Sequence, residues 1–221
     1  MNFLKFFERA LGIGLFMLLL QPIQAQYTMD ELAFGLGGGL AILPNGANAL
    51  SGPGLNLNAS YAHYLCGKAY GFHFTAGANT FSPATQMGEP FLKAQLAGKT
   101  RFLLAGAELG GFFKVRIHDY HRSREVALLI GPKINFPVLA SYHSEIDQGS
   151  LRNNTDKVNP FQVGAHISLQ FRRPAPEKKS WFIEPGIDYY FSPTWTNDPA
   201  GHINTAYLFL NFGYAFWDKR G

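Results

Sequence analysis

Leu32-Ala33-Phe34-Gly35-Leu36-Gly37-Gly38-Gly39-Leu40-Ala41-Ile42 is the stretch whose reading decides the fold. Leu32, Phe34, Leu36, Leu40 and Ile42 stand at even positions, while Ala33, Gly35, Gly37, Gly39 and Ala41 fill the odd ones. A period of two is that of a β-strand, whose successive side chains point to opposite faces. One face of this strand is bulky and apolar, and the other is nearly bare. A soluble barrel of lipocalin type would turn the bulky face inward and the bare one to water. Glycine and alanine make a poor solvated exterior, but they suit a narrow interior crowded by strands. The expected arrangement is therefore inside out, with lipid against the bulky face.

Seven further segments repeat the scheme. Leu55 to Tyr64 sets Leu55, Leu57, Ala59 and Tyr61 against Asn56, Asn58 and Ser60, and Ala69 to Asn79 sets Tyr70, Phe72 and Phe74 against Gly71, His73, Thr75 and Gly77. Arg101 to Ile117 alternates Leu103, Leu109, Phe113 and Val115 with Gly106, Glu108, Gly110, Lys114 and Arg116. The same alternation runs through Val126 to Val138, Phe161 to Phe171, Trp181 to Phe191 and Thr205 to Phe216. Eight strands with connections that alternate in length predict an all-β chain, an eight-stranded antiparallel up-and-down transmembrane β-barrel. The long connections are Pro44 to Gly54, Thr80 to Thr100, Leu139 to Pro160 and Ser192 to Asn204. Leu65 to Lys68, His118 to Glu125 and Arg172 to Ser180 are the shorter ones, expected at the periplasmic end together with both chain termini. Tyr70, Phe171, Trp181 and Phe216 are placed to form one aromatic girdle, and Phe136, Phe161 and Phe191 the other.

Composition agrees with a lipid-covered surface. The 221 residues include 24 Gly, 20 Phe, 10 Tyr and 3 Trp, with 47% hydrophobic and 15% charged. That excludes disorder and a coiled coil, and soluble domains usually carry about a quarter charged residues. The first 25 residues read as an export signal: Lys5 and Arg9, the apolar run Leu11 to Leu20, Pro22 and a small residue at Ala25. Residues 26–221 form the expected barrel domain. No later segment approaches the roughly 18 apolar residues of a transmembrane helix. The single cysteine, Cys66, has no partner for an internal disulfide and reads as a turn residue. A net charge of +4 implies no nucleic-acid partner.

Gly131-Pro132-Lys133-Ile134-Asn135-Phe136-Pro137, Phe182-Ile183-Glu184-Pro185-Gly186-Ile187-Asp188-Tyr189-Tyr190-Phe191 and Leu210-Asn211-Phe212-Gly213-Tyr214-Ala215-Phe216 resemble the small outer-membrane barrels of PorT type and OmpA-like type. The resemblance covers the chain from residue 26 onward. It implies a lipid-embedded barrel in a functionally mixed group, surrounded by bilayer and lipopolysaccharide. A secretion or envelope-assembly partner, contacted through loops, is the role a PorT-like chain would have. The chain departs from the OmpA pattern by ending five residues after Phe216, without a peptidoglycan-binding domain, and by closing on Lys219-Arg220-Gly221.

Placing the strands alternately up and down brings inward-facing Glu108, Lys133, His166 and Asp188 to one middle level, with Lys114, Arg116 and Glu184 nearer the periplasmic end. Charges in a narrow barrel are costly unless paired, so these seven residues are expected to form an ion-pair network that fills the lumen. A gated pore and a small-ligand site are the alternatives. His166-Ile167-Ser168 has the spacing used by eight-stranded lipid A deacylases, but Leu169 replaces the Asn that follows the serine there, and both residues face inward. The chain is read as non-enzymatic, without cofactor or metal. His118-Asp119-Tyr120-His121 offers two imidazoles and a carboxylate, yet beside Arg122 and Arg124 it reads as a solvated turn. A monomer is expected.

Overall fold

The computed structural model describes residues 29–43, 49–65, 70–87, 97–120, 124–144, 152–153, 158–174, 180–194 and 204–219. The expected signal segment and Cys66 lie outside the described residues. Eight long strands make the wall: β1 (Met29–Ile42), β2 (Gly52–Tyr64), β3 (Tyr70–Phe81), β4 (Ala97–Tyr120), β5 (Arg124–Ser144), β6 (Gln162–Pro174), β7 (Ser180–Tyr190) and β8 (Thr205–Lys219). Each pairs antiparallel with its neighbours in sequence. β8 returns to β1 over the whole register from Asp30↔Lys219 to Ile42↔Ala206, which closes the sheet. Closure leaves no strand edge and satisfies the ladder internally, the condition a strand structure must meet in hydrocarbon.

Side chains sort as the period-two pattern requires. Leu36 and Leu55 are each 62% exposed, and Phe34, Leu57, Phe74, Ile167 and Phe212 also face out. Asn56, His73, Glu108, Lys133, His166, Gln170, Asp188 and Asn211 are buried. The exterior is apolar and the interior polar, the reverse of a soluble domain. Outward aromatics lie toward both ends: near the short turns Phe34 stacks on Phe216 at 5.4 Å and Trp181 packs on Tyr214 at 4.6 Å, and near the long connections Phe136, Phe161 and Phe191 face out, with Tyr189 and Phe191 5.4 Å apart.

The interior is not polar throughout. At the opposite end, where the long connections lie, Leu43, Phe81, Leu104, Val158, Tyr190, Tyr207 and Phe209 form a buried apolar cluster. Phe81 and Tyr207 meet edge to face at 4.8 Å. Toward the turn end, Phe182 packs with Ala33 and Ala215 over Gly213, where a Cβ would stand 1.8 Å from the ring. Inward aromatics on β7 and β8 thus rest on glycines and alanines of neighbouring strands, which is why the bare face is needed.

Three connections in particular differ from the expectation. β4 and β5 have 24 and 21 residues and pair out to Thr100↔Ser144, so parts of Thr80 to Thr100 and Leu139 to Pro160 are strand. Ala84–Met87 joins β4, and Arg152–Asn153 joins β5. At the other end the ladder reaches Tyr120↔Arg124, so His118 to Tyr120 belongs to β4 and not to a turn. The physical reason is common to both ends. Past the rim a ribbon has no lumen side and no lipid side, so alternation fades while backbone pairing continues.

Candidate functional site in the barrel interior

The inward polar residues assemble in two layers. In the middle layer Lys133 on β5 projects across the lumen, with Nζ 2.9 Å from Glu108 Oε2 on β4 and 2.7 Å from Asp188 Oδ2 on β7. Asn79 donates to Glu108 at 2.8 Å and to Asn135 at 3.1 Å, and Asn135 donates to Gln162 at 2.9 Å. Asp188 Oδ1 also meets His166 Nδ1 at 2.7 Å, and His166 Nε2 lies 2.8 Å from Ser168 Oγ and 3.9 Å from Glu184 Oε1. Lys133 is 4% exposed and Asp188 is 1% exposed, so the ionic contacts are dry and short. An ion so placed is tolerated only with its partners present.

The layer nearer the turn end is built differently from the expectation. Lys114 Nζ lies 2.6 Å from Gln170 Oε1 and 3.6 Å from Glu31 Oε2, and Arg116 Nε lies 3.5 Å from Glu125 Oε2. Arg172 donates to Glu31 across the barrel. Tyr64 donates from its hydroxyl to Glu125 at 3.1 Å, and its ring lies beneath both Lys114 and Arg116. Glu184 accepts from Gln170 at 3.0 Å, which links the two layers. Of the seven residues expected to interact, Glu108, Lys133, His166 and Asp188 meet directly, Glu184 touches them through His166, and Lys114 and Arg116 join acids outside the expected set.

Glu125 and Arg172 were missed because each stands in a stretch assigned to a connection, and Glu31 because it precedes Leu32, where the quoted alternation of the first strand begins. Their parity reveals them: Glu31 shares a face with Ala33, Glu125 with Ala127 and Leu129, and Arg172 with Ser168 and Gln170, all buried. Phe112 was missed for a different reason. It is an apolar residue on the lumen face of β4, stacked at 4.0 Å on His166.

Ser168, His166 and Asp188 form a serine-to-imidazole-to-carboxylate chain of hydrogen bonds. Such a chain activates a hydroxyl when a substrate reaches it. Here the imidazole is held between the rings of Phe112 and Phe209, at 4.0 and 5.4 Å, and Ser168 is 3% exposed. Among the described residues no group of three or more His, Cys, Asp or Glu side chains is arranged to hold a metal ion.

No protein-family model matches the chain, and no curated protein matches it. Solved structures that resemble it include Ail, the attachment invasion locus protein of Yersinia pestis, in complex with the heparin analogue sucrose octasulfate. That alignment has 12% identity and TM-score 0.43, and covers 86% of this chain and 100% of that one. Neisserial surface protein A aligns with 10% identity over 85% of this chain and 98% of that one, TM-score 0.41. OprG from Pseudomonas aeruginosa aligns with 12% identity over 86% and 95%, TM-score 0.37. The closed ladder of strand pairs, independent of these likenesses, carries the barrel assignment.

Proposed function

We propose that the chain is an integral outer-membrane β-barrel with a structural or binding role, and that its lumen is closed by ion pairs, without catalysis. The single observation that carries this reading is the inverted sorting of side chains around a closed sheet. Leu36, Leu57 and Phe212 face out while Glu108, Lys133 and Asp188 are buried. Water does not stabilise such an exterior, whereas lipid does. The export signal read at residues 1–25 supports delivery beyond the inner membrane. Closure of the lumen is supported by the Lys133 contacts and by the aromatic cluster at the loop end. Eight strands leave an interior that side chains can fill.

The test is fractionation of cells expressing the full chain, followed by electrophoresis of boiled and unboiled samples. The reading expects recovery with outer membranes and faster migration of the unboiled form. Recovery in the soluble periplasm, with one mobility for both samples, would overturn it in favour of a lipocalin-type barrel. The PorT-like or OmpA-like family tie rests on the motifs around Lys133, Glu184 and Asn211. Co-purification from native membranes separates a lone barrel from a component of an envelope-assembly apparatus.

A further inference from the structure

The lipid-facing wall is not evenly covered. Between β1 and β5 it is indented by a groove of about 570 Å³, floored by Ala59, Ala76, Gly111 and Pro132. Tyr61, Phe74, Leu109 and Ile134 stand around it, with Leu32 at its β1 end. All of these residues share the outward face of their strands, so the groove opens toward hydrocarbon and not into the lumen. A Cβ built on Gly111 would meet only the Phe74 ring, at 3.8 Å, which shows how much room the small residues leave.

The groove is inclined. The line of facing residues that leaves β1 at Leu32 and passes Tyr61, Phe74, Gly111 and Pro132 goes on around the wall and returns to β1 at Ile42. It rises toward the loop end as it crosses the strands, so Leu32 and Tyr61 mark the low end of the groove and Pro132 and Ile134 the high end. Neighbouring strands stand about 4.8 Å apart, which makes the four steps from β1 to β5 about 19 Å long. One leaflet of hydrocarbon is roughly 15 Å deep, half the usual core, and an inclined chain of that length crosses it. At the low end the chemistry changes. Tyr61 donates to Asp30 Oδ1 at 2.9 Å, and His63 Nδ1 lies 2.7 Å from the same oxygen. The Asp30 and His63 side chains stay partly exposed. A carboxylate thus stands at the foot of an apolar groove, where it attracts an ammonium and repels an anionic head group. A second copy of the chain fits less well, since a two-fold contact centred on the groove would set hollow against hollow.

We propose that the groove holds one phospholipid of the turn-end leaflet, its acyl chain along Ala59, Ala76 and Gly111 and its ammonium head group, of the phosphatidylethanolamine kind, at Asp30. This assignment rests on the outer-membrane reading above and adds the lipid that the wall selects. Retention of the lipid is measured on the refolded barrel in detergent, so its failure leaves that reading to be judged by fractionation.

The test is native mass spectrometry of the refolded full chain, released from detergent after incubation with phosphatidylethanolamine or with phosphatidylglycerol carrying the same acyl chains. One phosphatidylethanolamine per barrel should be retained, and phosphatidylglycerol several-fold less. Ala76→Phe fills the groove and should lower retention about tenfold or more, the effect of excluding a few methylene groups. Gly111→Leu should do the same from a position with room for a side chain, so a folding defect in one variant leaves the other to decide. Leu36→Phe, on the lipid-facing side away from the groove, should retain the lipid as the unmodified chain does. Asp30→Asn should erase the preference between the two head groups and leave chain-dependent retention in place. Equal retention of both lipids by the unmodified chain overturns the proposal, and so does full retention by Ala76→Phe and Gly111→Leu. A dimer that excludes lipid would assign the groove to a second copy and overturn it as well.

Discussion

At the residue scale the structure hangs on Lys133. Its ammonium lies within 2.9 Å of two carboxylates on two other strands, and all three groups are buried. Lys133→Met removes the shared counter-charge and leaves Glu108 and Asp188 facing each other. Urea unfolding in lipid vesicles should show a loss of about 3–5 kcal/mol, the usual cost of stranding a buried charge. Adding Glu108→Gln and Asp188→Asn to that variant should restore much of the loss, because the stranded charges are then gone. A second residue-scale expectation concerns Gly213, whose place is covered by the Phe182 ring. Gly213→Val would force that ring off Ala33 and Ala215, at a cost of about 1–3 kcal/mol by the same unfolding measurement. The alternation made Lys133, Glu108 and Asp188 legible, since each is a charge at a lumen-facing position inside a clear period. Phe112 and Phe209 were not legible as lumen residues, because an apolar side chain on the small-residue face carries no mark in the sequence that distinguishes it from packing against lipid.

At the element scale, strand identity was readable wherever one face meets lipid and the other the lumen. The Glu31, Glu125 and Arg172 cluster lies where that contrast weakens near the turn end, and extending the parity by one step recovers it. The upper parts of β4 and β5 offer no such recovery, since both faces of a protruding ribbon meet one solvent. A bulge adds to the difficulty: Val138 is skipped between Ala105↔Leu139 and Gly106↔Pro137, so Val138 and Leu139 both face out. The lipid-facing side of β2 makes a direct prediction. Leu57→Arg should cost about 2–4 kcal/mol in a bilayer, as a charge at mid-depth does. Asn58→Arg, on the opposite face of the same strand, should not follow that depth dependence. The long connections make another. Protease added to intact cells should cut between residues 88 and 96 or 145 and 151, and leave residues 121–123 intact. Cleavage at 121–123 alone would mean that the barrel stands the other way up.

Across the whole molecule, an apolar exterior surrounds an interior whose side chains are buried at both ends and in the middle. Aromatic side chains occupy the loop end, the Lys133 cluster the middle, and the Glu31, Arg172 and Lys114 group the turn end. Narrow barrels can be filled by side chains, and here the Gln170 to Glu184 hydrogen bond ties the middle layer to the turn-end layer. Planar-bilayer recording tests the proposed closure of the lumen. The unmodified barrel, reconstituted at single-molecule density, should insert without steady current, while Lys133→Met should show brief openings as its layer loosens. A steady conductance of large amplitude from the unmodified protein would mean that the lumen is open and that the ion pairs do not close it.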